Sequence, residues 1–172
     1  MKALTPLLSL IVLFTIGCEN NVATEQPFDL NGKIVQDDQL KSEINSAPTE
    51  ISIEGITYIV EAFVWRDFQP SIGPSSTRLM SLNRLVRTDK KEIPDYIVLI
   101  QQYVVNNSAV WIPNYDQESR PEAKPYQKEE ISRYGPLWEV GITVDVGIEI
   151  LNEKTDEKFL LSAPQAIIEK AS

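Results

Sequence analysis

Ten residues from Ile142 to Leu151 alternate almost without a break. Ile142, Val144, Val146, Ile148 and Ile150 fall on one side, and Thr143, Asp145, Gly147 and Glu149 on the other. Successive side chains of a strand point to opposite faces, so a period of two describes a strand with one face in a core and one facing water. A strand of this kind needs partners that hide its apolar side, and the chain supplies them. Ile51-Ser52-Ile53, Ile56–Trp65, Leu79–Arg87, Tyr96–Val105, Ala109–Ile112, Lys158–Ser162 and Ala166–Ile168 are rich in β-branched and aromatic residues. Turn chemistry separates them: Glu54-Gly55, Asn106-Asn107-Ser108 and the polar run Asn152–Glu157. The pattern predicts seven to eight strands and no strongly amphipathic helix. The expected fold is all-β: an antiparallel β-sandwich of immunoglobulin-like type, with a small open β-barrel as the alternative.

Absent residue types narrow the chemistry. The chain has no histidine and one cysteine, which removes Ser-His-Asp and Cys-His nucleophiles and every His-containing zinc site. Seven scattered glycines form no phosphate-cradling loop, and no cofactor is expected. With 25 acidic against 16 basic residues the net charge is −9, which opposes binding to a phosphate backbone. Carboxylates remain as conceivable catalysts. Asp145 and Glu149 share one strand face four residues apart, roughly 13 Å, which is too far for a glycosidase pair. Asn152, Glu153, Asp156 and Glu157 have ligand types that suit calcium, but their spacing matches no loop that demands it, so no metal is expected. The domain reads as non-catalytic, and a hydrolase using carboxylates of a long loop is the alternative.

The N-terminus carries a different message. Lys2 precedes an uncharged stretch from Ala3 to Ile16, too short to span the roughly 30 Å of hydrocarbon but suited to a signal-peptide core. It closes on Leu13-Phe14-Thr15-Ile16-Gly17-Cys18, with Thr15 where leucine is commonest. This run resembles the lipobox of bacterial lipoproteins. The resemblance implies that residues 1–17 are a signal peptide, that the chain is cut before Cys18, and that an acylated Cys18 anchors it in a membrane. Glu19, where an aspartate would retain the protein at the inner membrane, implies the outer membrane in a Gram-negative host. Residues 18–49 then read as anchor and flexible tether, and 50–172 as the β domain. Phe28, Leu30, Ile34, Leu40 and Ile44 leave docking of part of the tether open, as does a short helix around Asp38–Asn45. Trp65-Arg66-Asp67-Phe68, Gly135-Pro136-Leu137-Trp138 and Val144-Asp145-Val146 also resemble stretches of uncharacterised exported lipoproteins with immunoglobulin-like domains. That resemblance brings no catalytic motif.

Two irregular connections interrupt the strands, Trp65–Pro70 continuing through Ser71–Thr77, and Pro113–Trp138. The second is long for a compact domain. Loop aromatics can stack on sugar rings or on side chains of a protein partner, with polar neighbours fixing orientation. Arg66, Tyr115, Tyr126, Tyr134 and Trp138 are therefore the candidate binding surface. The structural alternative has Trp65, Phe68, Trp111 and Trp138 plugging the ends of the fold, with Arg66 and Asp67 pinning a corner. The expected function is capture of a protein or glycan at the cell envelope by a lipid-anchored domain. An assembly role in an envelope complex is the second reading.

Overall fold

The computed structural model describes residues 30–68, 77–116 and 124–171. Cys18, the signal segment and the middle of each irregular connection lie outside the described residues. Among those described, nine strands and one helix follow in the order β1 (Lys33–Gln36), α1 (Asp38–Ser46), β2 (Glu50–Ile53), β3 (Ile56–Asp67), β4 (Leu79–Arg87), β5 (Ile97–Asn106), β6 (Ala109–Ile112), β7 (Gln127–Ser132), β8 (Thr143–Asn152) and β9 (Glu157–Ala171). The helix is not long and apolar enough to cross a membrane.

The fold is all-β. One sheet runs β1-β6-β5-β8-β9-β3-β4-β7, with β2 added to β3, and it curls into a half-barrel. The expected immunoglobulin-like sandwich is not the arrangement observed; the single curled sheet fits the open barrel that was its alternative. β9 makes the curl. It pairs antiparallel with β8 from Asn152↔Glu157 to Thr143↔Ile167, with a register shift between Val144 and Val146 where Gln165 takes φ +23°, and its last four residues, Ile168–Ala171, run parallel to Val64–Asp67 of β3. That parallel pairing departs from the expected all-antiparallel order. Lys158–Ser162 and Ala166–Ile168, two strands by pattern, are one strand, paired with β8 as far as Ile167 and with β3 from Ile168 on.

Two of the nine strands fall outside the predicted set. β7 has the sequence Gln127-Lys128-Glu129-Glu130-Ile131-Ser132, whose polar run hides its periodicity, and it pairs with β4 along six residues. β1 lies in the stretch read as tether and pairs with β6. The docked form of that stretch is the one observed. Asp37 caps α1 by accepting from the Leu40 N–H at 2.9 Å, and the helix stops at Ala47 ahead of Pro48, whose ring disfavours helical backbone at the preceding residue. The buried Ile44 sits over Gly147, where a Cβ would lie 2.9 Å from its Cγ2, so the glycine on the outer face of β8 is the seat of the helix. Val105 and Val110 complete this small outer core.

The main core fills the concave side. Val144, Val146, Ile148 and Ile150 are all buried there, as their alternation predicts, with Tyr58, Val60, Val64, Leu85, Val104, Trp111 and Ile168. Two of the three expected turns form as two-residue hairpins, with φ +52° and +77° at Glu54-Gly55 and φ +54° at Asn107. β5 carries a bulge between Leu99 and Gln101. Upstream of it Ile97 and Leu99 point inward; downstream Gln102 and Val104 do, so the extra residue turns a glutamine into the core and Gln101 and Tyr103 out of it.

Candidate functional site

A cleft of about 490 Å³ opens at the end of the half-barrel where β5 stops and β8 begins. It is lined by Asn106 and Asn107 of the hairpin turn, by Leu137, Trp138 and Glu139, and by Ile142 and Thr143. The Asn107 side-chain amide donates to Asn106 Oδ1 at 3.1 Å, which presets both groups. Trp138 is half-buried, one part packed on the main core, while Leu137 is 58% exposed. An indole, two side-chain amides, a carboxylate and a hydroxyl around a shallow opening suit a polar, ring-shaped ligand that is stacked and hydrogen-bonded at once.

The segment carrying Trp138 is pinned along its length. The Gly135 N–H donates to the Leu79 carbonyl at 2.9 Å, the Asn31 N–H to the Tyr134 carbonyl at 3.0 Å, and the Gly141 N–H to the Ile168 carbonyl at 2.8 Å. Gly135 lies on the Trp111 ring so closely that a Cβ would come within 2.6 Å of it. Trp111 is itself buried and donates its indole N–H to the Asn31 carbonyl at 2.8 Å.

The five candidate residues do not form one surface. Arg66 is structural: its guanidinium donates to the Thr77 carbonyl and, at 3.0 Å, to the Trp138 carbonyl, and it lies 5.0 Å from the Phe68 ring centroid. It meets the cleft only from behind, as a brace for Trp138. Tyr115 turns its hydroxyl into the interior, where burial, helped by the nearby Glu130 charge, pushes its pKa far above the usual phenol range. Tyr134 is 40% exposed with φ +61°, four residues before Trp138. Tyr126 stands at the far end of β4, its carbonyl accepting from the Arg87 N–H at 3.0 Å. The nine residues of β4 separate it from the Leu79 end by roughly 26 Å. Arg66 and Trp138 are in contact, and of the five Trp138 alone lines the cleft.

Asn106, Asn107, Glu139 and Thr143 were not among the candidates. The Asn-Asn pair announces a turn, and nothing local says that this turn faces Trp138. The Asn152–Glu157 run is likewise a turn held by its own first residue: Asn152 Oδ1 accepts from the Lys154 N–H at 3.1 Å and its carbonyl from the Asp156 N–H at 2.9 Å. Among the described residues no cluster of three or more acidic, histidine or cysteine side chains is placed to hold a metal ion. One carboxyl, Glu130, has its pKa raised, by burial; the charge that bears on it is Lys128, which pulls the other way.

Arg66→Ala is expected to lower stability by about 1–3 kcal/mol, because two backbone carbonyls lose a charged donor. A thermal melt checks this, and an unchanged melting temperature would return Arg66 to the recognition surface.

No family model, curated protein or solved structure matches the chain.

Proposed function

We propose that this chain is a non-catalytic, lipid-anchored protein of the cell envelope that binds a glycan in the cleft around Trp138. The observation that carries the reading is the composition of that cleft. Trp138, whose backbone carbonyl is held by Arg66, shares the cleft with the paired asparagine amides, Glu139 and Thr143. Sugars present apolar ring faces and a belt of hydroxyls, which is the chemistry an aromatic platform with amide and carboxylate neighbours satisfies. The anchor is the lipid expected on Cys18, and the outer membrane is the location that Glu19 favours.

An assembly role is the second reading. Phe63 and Ile167, each one residue ahead of the paired Val64 and Ile168, are 45% and 57% exposed on the outer face. A carboxylate hydrolase receives less support, since among the described residues a single carboxyl is raised, which does not make an acid–base pair.

Titration of envelope oligosaccharides, with Trp fluorescence as the readout, tests the glycan reading. Trp138→Ala should weaken binding by tenfold or more, since a central aromatic anchor is worth about 2 kcal/mol when truncated. Glu139→Ala, at an exposed position, should weaken binding while leaving the melting temperature unchanged. No saccharide binding by the unmodified chain, or binding by both variants as tight as that of the unmodified chain, would sink the reading. The anchor is tested separately: Cys18→Ser should move the protein from the membrane to the soluble fraction, or leave it unprocessed, with the same melting temperature. A cleaved Cys18→Ser chain that still sediments with membranes would show another means of attachment.

A further inference from the structure

Among the described residues, the concave side of the half-barrel carries a cluster of buried polar side chains. β4 turns Ser81 and Asn83 inward between Leu79 and Leu85. β7 places Ser132 opposite Ser81 and Glu130 opposite Asn83, and cross-strand partners share a face. The bulge in β5 delivers Gln102, and the Tyr115 hydroxyl enters beside Asn83. Ser81, Asn83, Gln102 and Ser132 are all completely buried.

One hydrogen bond closes within this group, from the Gln102 amide to Ser81 Oγ. Gln102 Oε1 and Ser132 Oγ have no partner, and the Tyr115 hydroxyl lies beside the Asn83 amide without a well-formed hydrogen bond closing at either. A buried polar atom left unbonded loses its water without replacement, and several together cost a sizeable part of the net stability of a domain. Such groups in folded proteins are met by something, and where the protein does not supply it a bound molecule does. Two serines stand side by side there, Ser81 opposite Ser132, where the neighbouring inward positions of β4 carry Leu79 and Leu85.

The orphaned atoms also state what they need. Asn83 Nδ2 donates; Asn83 Oδ1 and Gln102 Oε1 accept; the Ser132 and Tyr115 hydroxyls do either. Lys128, the cation on the same face of β7, spends its ammonium on the carbonyls of Pro94, Asp95 and Ile97 at 2.9, 3.1 and 2.7 Å. It is not aimed at this patch as a counter-ion for an anion. Glu130 beside Asn83 would repel one. We propose that Ser81, Asn83, Gln102, Tyr115 and Ser132 form an internal binding site for neutral hydroxyl groups, supplied either by trapped water or by a small polyol. The site is distinct from the Trp138 cleft and stands whether or not that cleft binds a glycan.

Oxygen-17 relaxation dispersion of water in solutions of the full chain, together with mass spectrometry of the intact protein under native and denaturing conditions, tests the proposal. Trapped water predicts a dispersion from slowly exchanging molecules that Asn83→Leu removes and Ser132→Ala reduces. A polyol predicts a small adduct on the native protein that is released on denaturation, absent from Asn83→Leu, and displaceable by excess glycerol. Ser132→Ala removes one hydroxyl without changing the shape of the core, so it covers the case in which Asn83→Leu does not fold. Neither dispersion nor adduct in the unmodified chain would overturn the proposal. So would a dispersion or adduct that Ser132→Ala leaves untouched.

Discussion

Val146→Asp will unfold the domain or bring it close to unfolding, while Asp145→Asn, one residue away, will leave its stability within about 0.5 kcal/mol of the parent. Val146 lies in the middle of β8 with no exposed surface, registered between Val104 of β5 and Ala163 of β9. A carboxylate there has no partner in an apolar layer, and its burial costs well over 4 kcal/mol. At roughly 2–4 °C per kcal/mol for a domain of this size, the melting temperature should fall by about 10 °C or more. Asp145 points to the other face and keeps contact with water, so losing its charge changes little. Circular-dichroism melts of the two variants settle the matter. Similar losses in both would mean that β8 is buried on its two sides along its whole length, which the partial exposure of Asp145 and Glu149 opposes.

Trp111→Ala should cost about 3–5 kcal/mol, the range for removing a large aromatic side chain from a core. Three parts of the chain meet on this one residue. Its ring supports Gly135, its indole N–H holds the Asn31 carbonyl, and its backbone pairs with Ile34 of β1 and Val104 of β5. The loss should therefore reach the cleft, because Gly135 leads into Leu137-Trp138. Denaturant melts should show the drop, and saccharide titration should show weaker binding than stability alone explains. Gly135→Ala offers the reverse perturbation: its methyl would press into the Trp111 ring, and overpacking of this kind costs about 1–3 kcal/mol. A Trp111→Ala protein within 1 kcal/mol of the parent would mean that the Gly135 segment is held by its backbone hydrogen bonds alone.

Strand positions were legible in the sequence to a large extent. Ile142–Leu151, Leu79–Arg87, Ala109–Ile112 and the Asn107 hairpin occur where their pattern puts them, because alternation and turn chemistry are properties of neighbouring residues. The candidate site was much less legible. Trp138 lines the cleft, yet the asparagines facing it come from a turn about thirty residues upstream, and Tyr115 and Tyr126 point elsewhere. Proximity in a curled sheet depends on which strands pair, and no local composition carries that information.

By itself the sequence determined an all-β chain, the inward face of β8, the chemistry excluded by the absence of histidine, and the resemblance to a lipobox at Cys18. Only the tertiary structure decided that β9 crosses from β8 to β3 and curls the sheet into a half-barrel. It also decided that a polar run becomes β7, that Ile44 docks the helix on Gly147, and that a bulge turns Gln102 inward. The physical reason is common to all four. A period of two or a turn residue acts over a few bonds. A change of strand partner, a one-residue bulge or a glycine seat gains its free energy from surfaces brought together across many residues of chain.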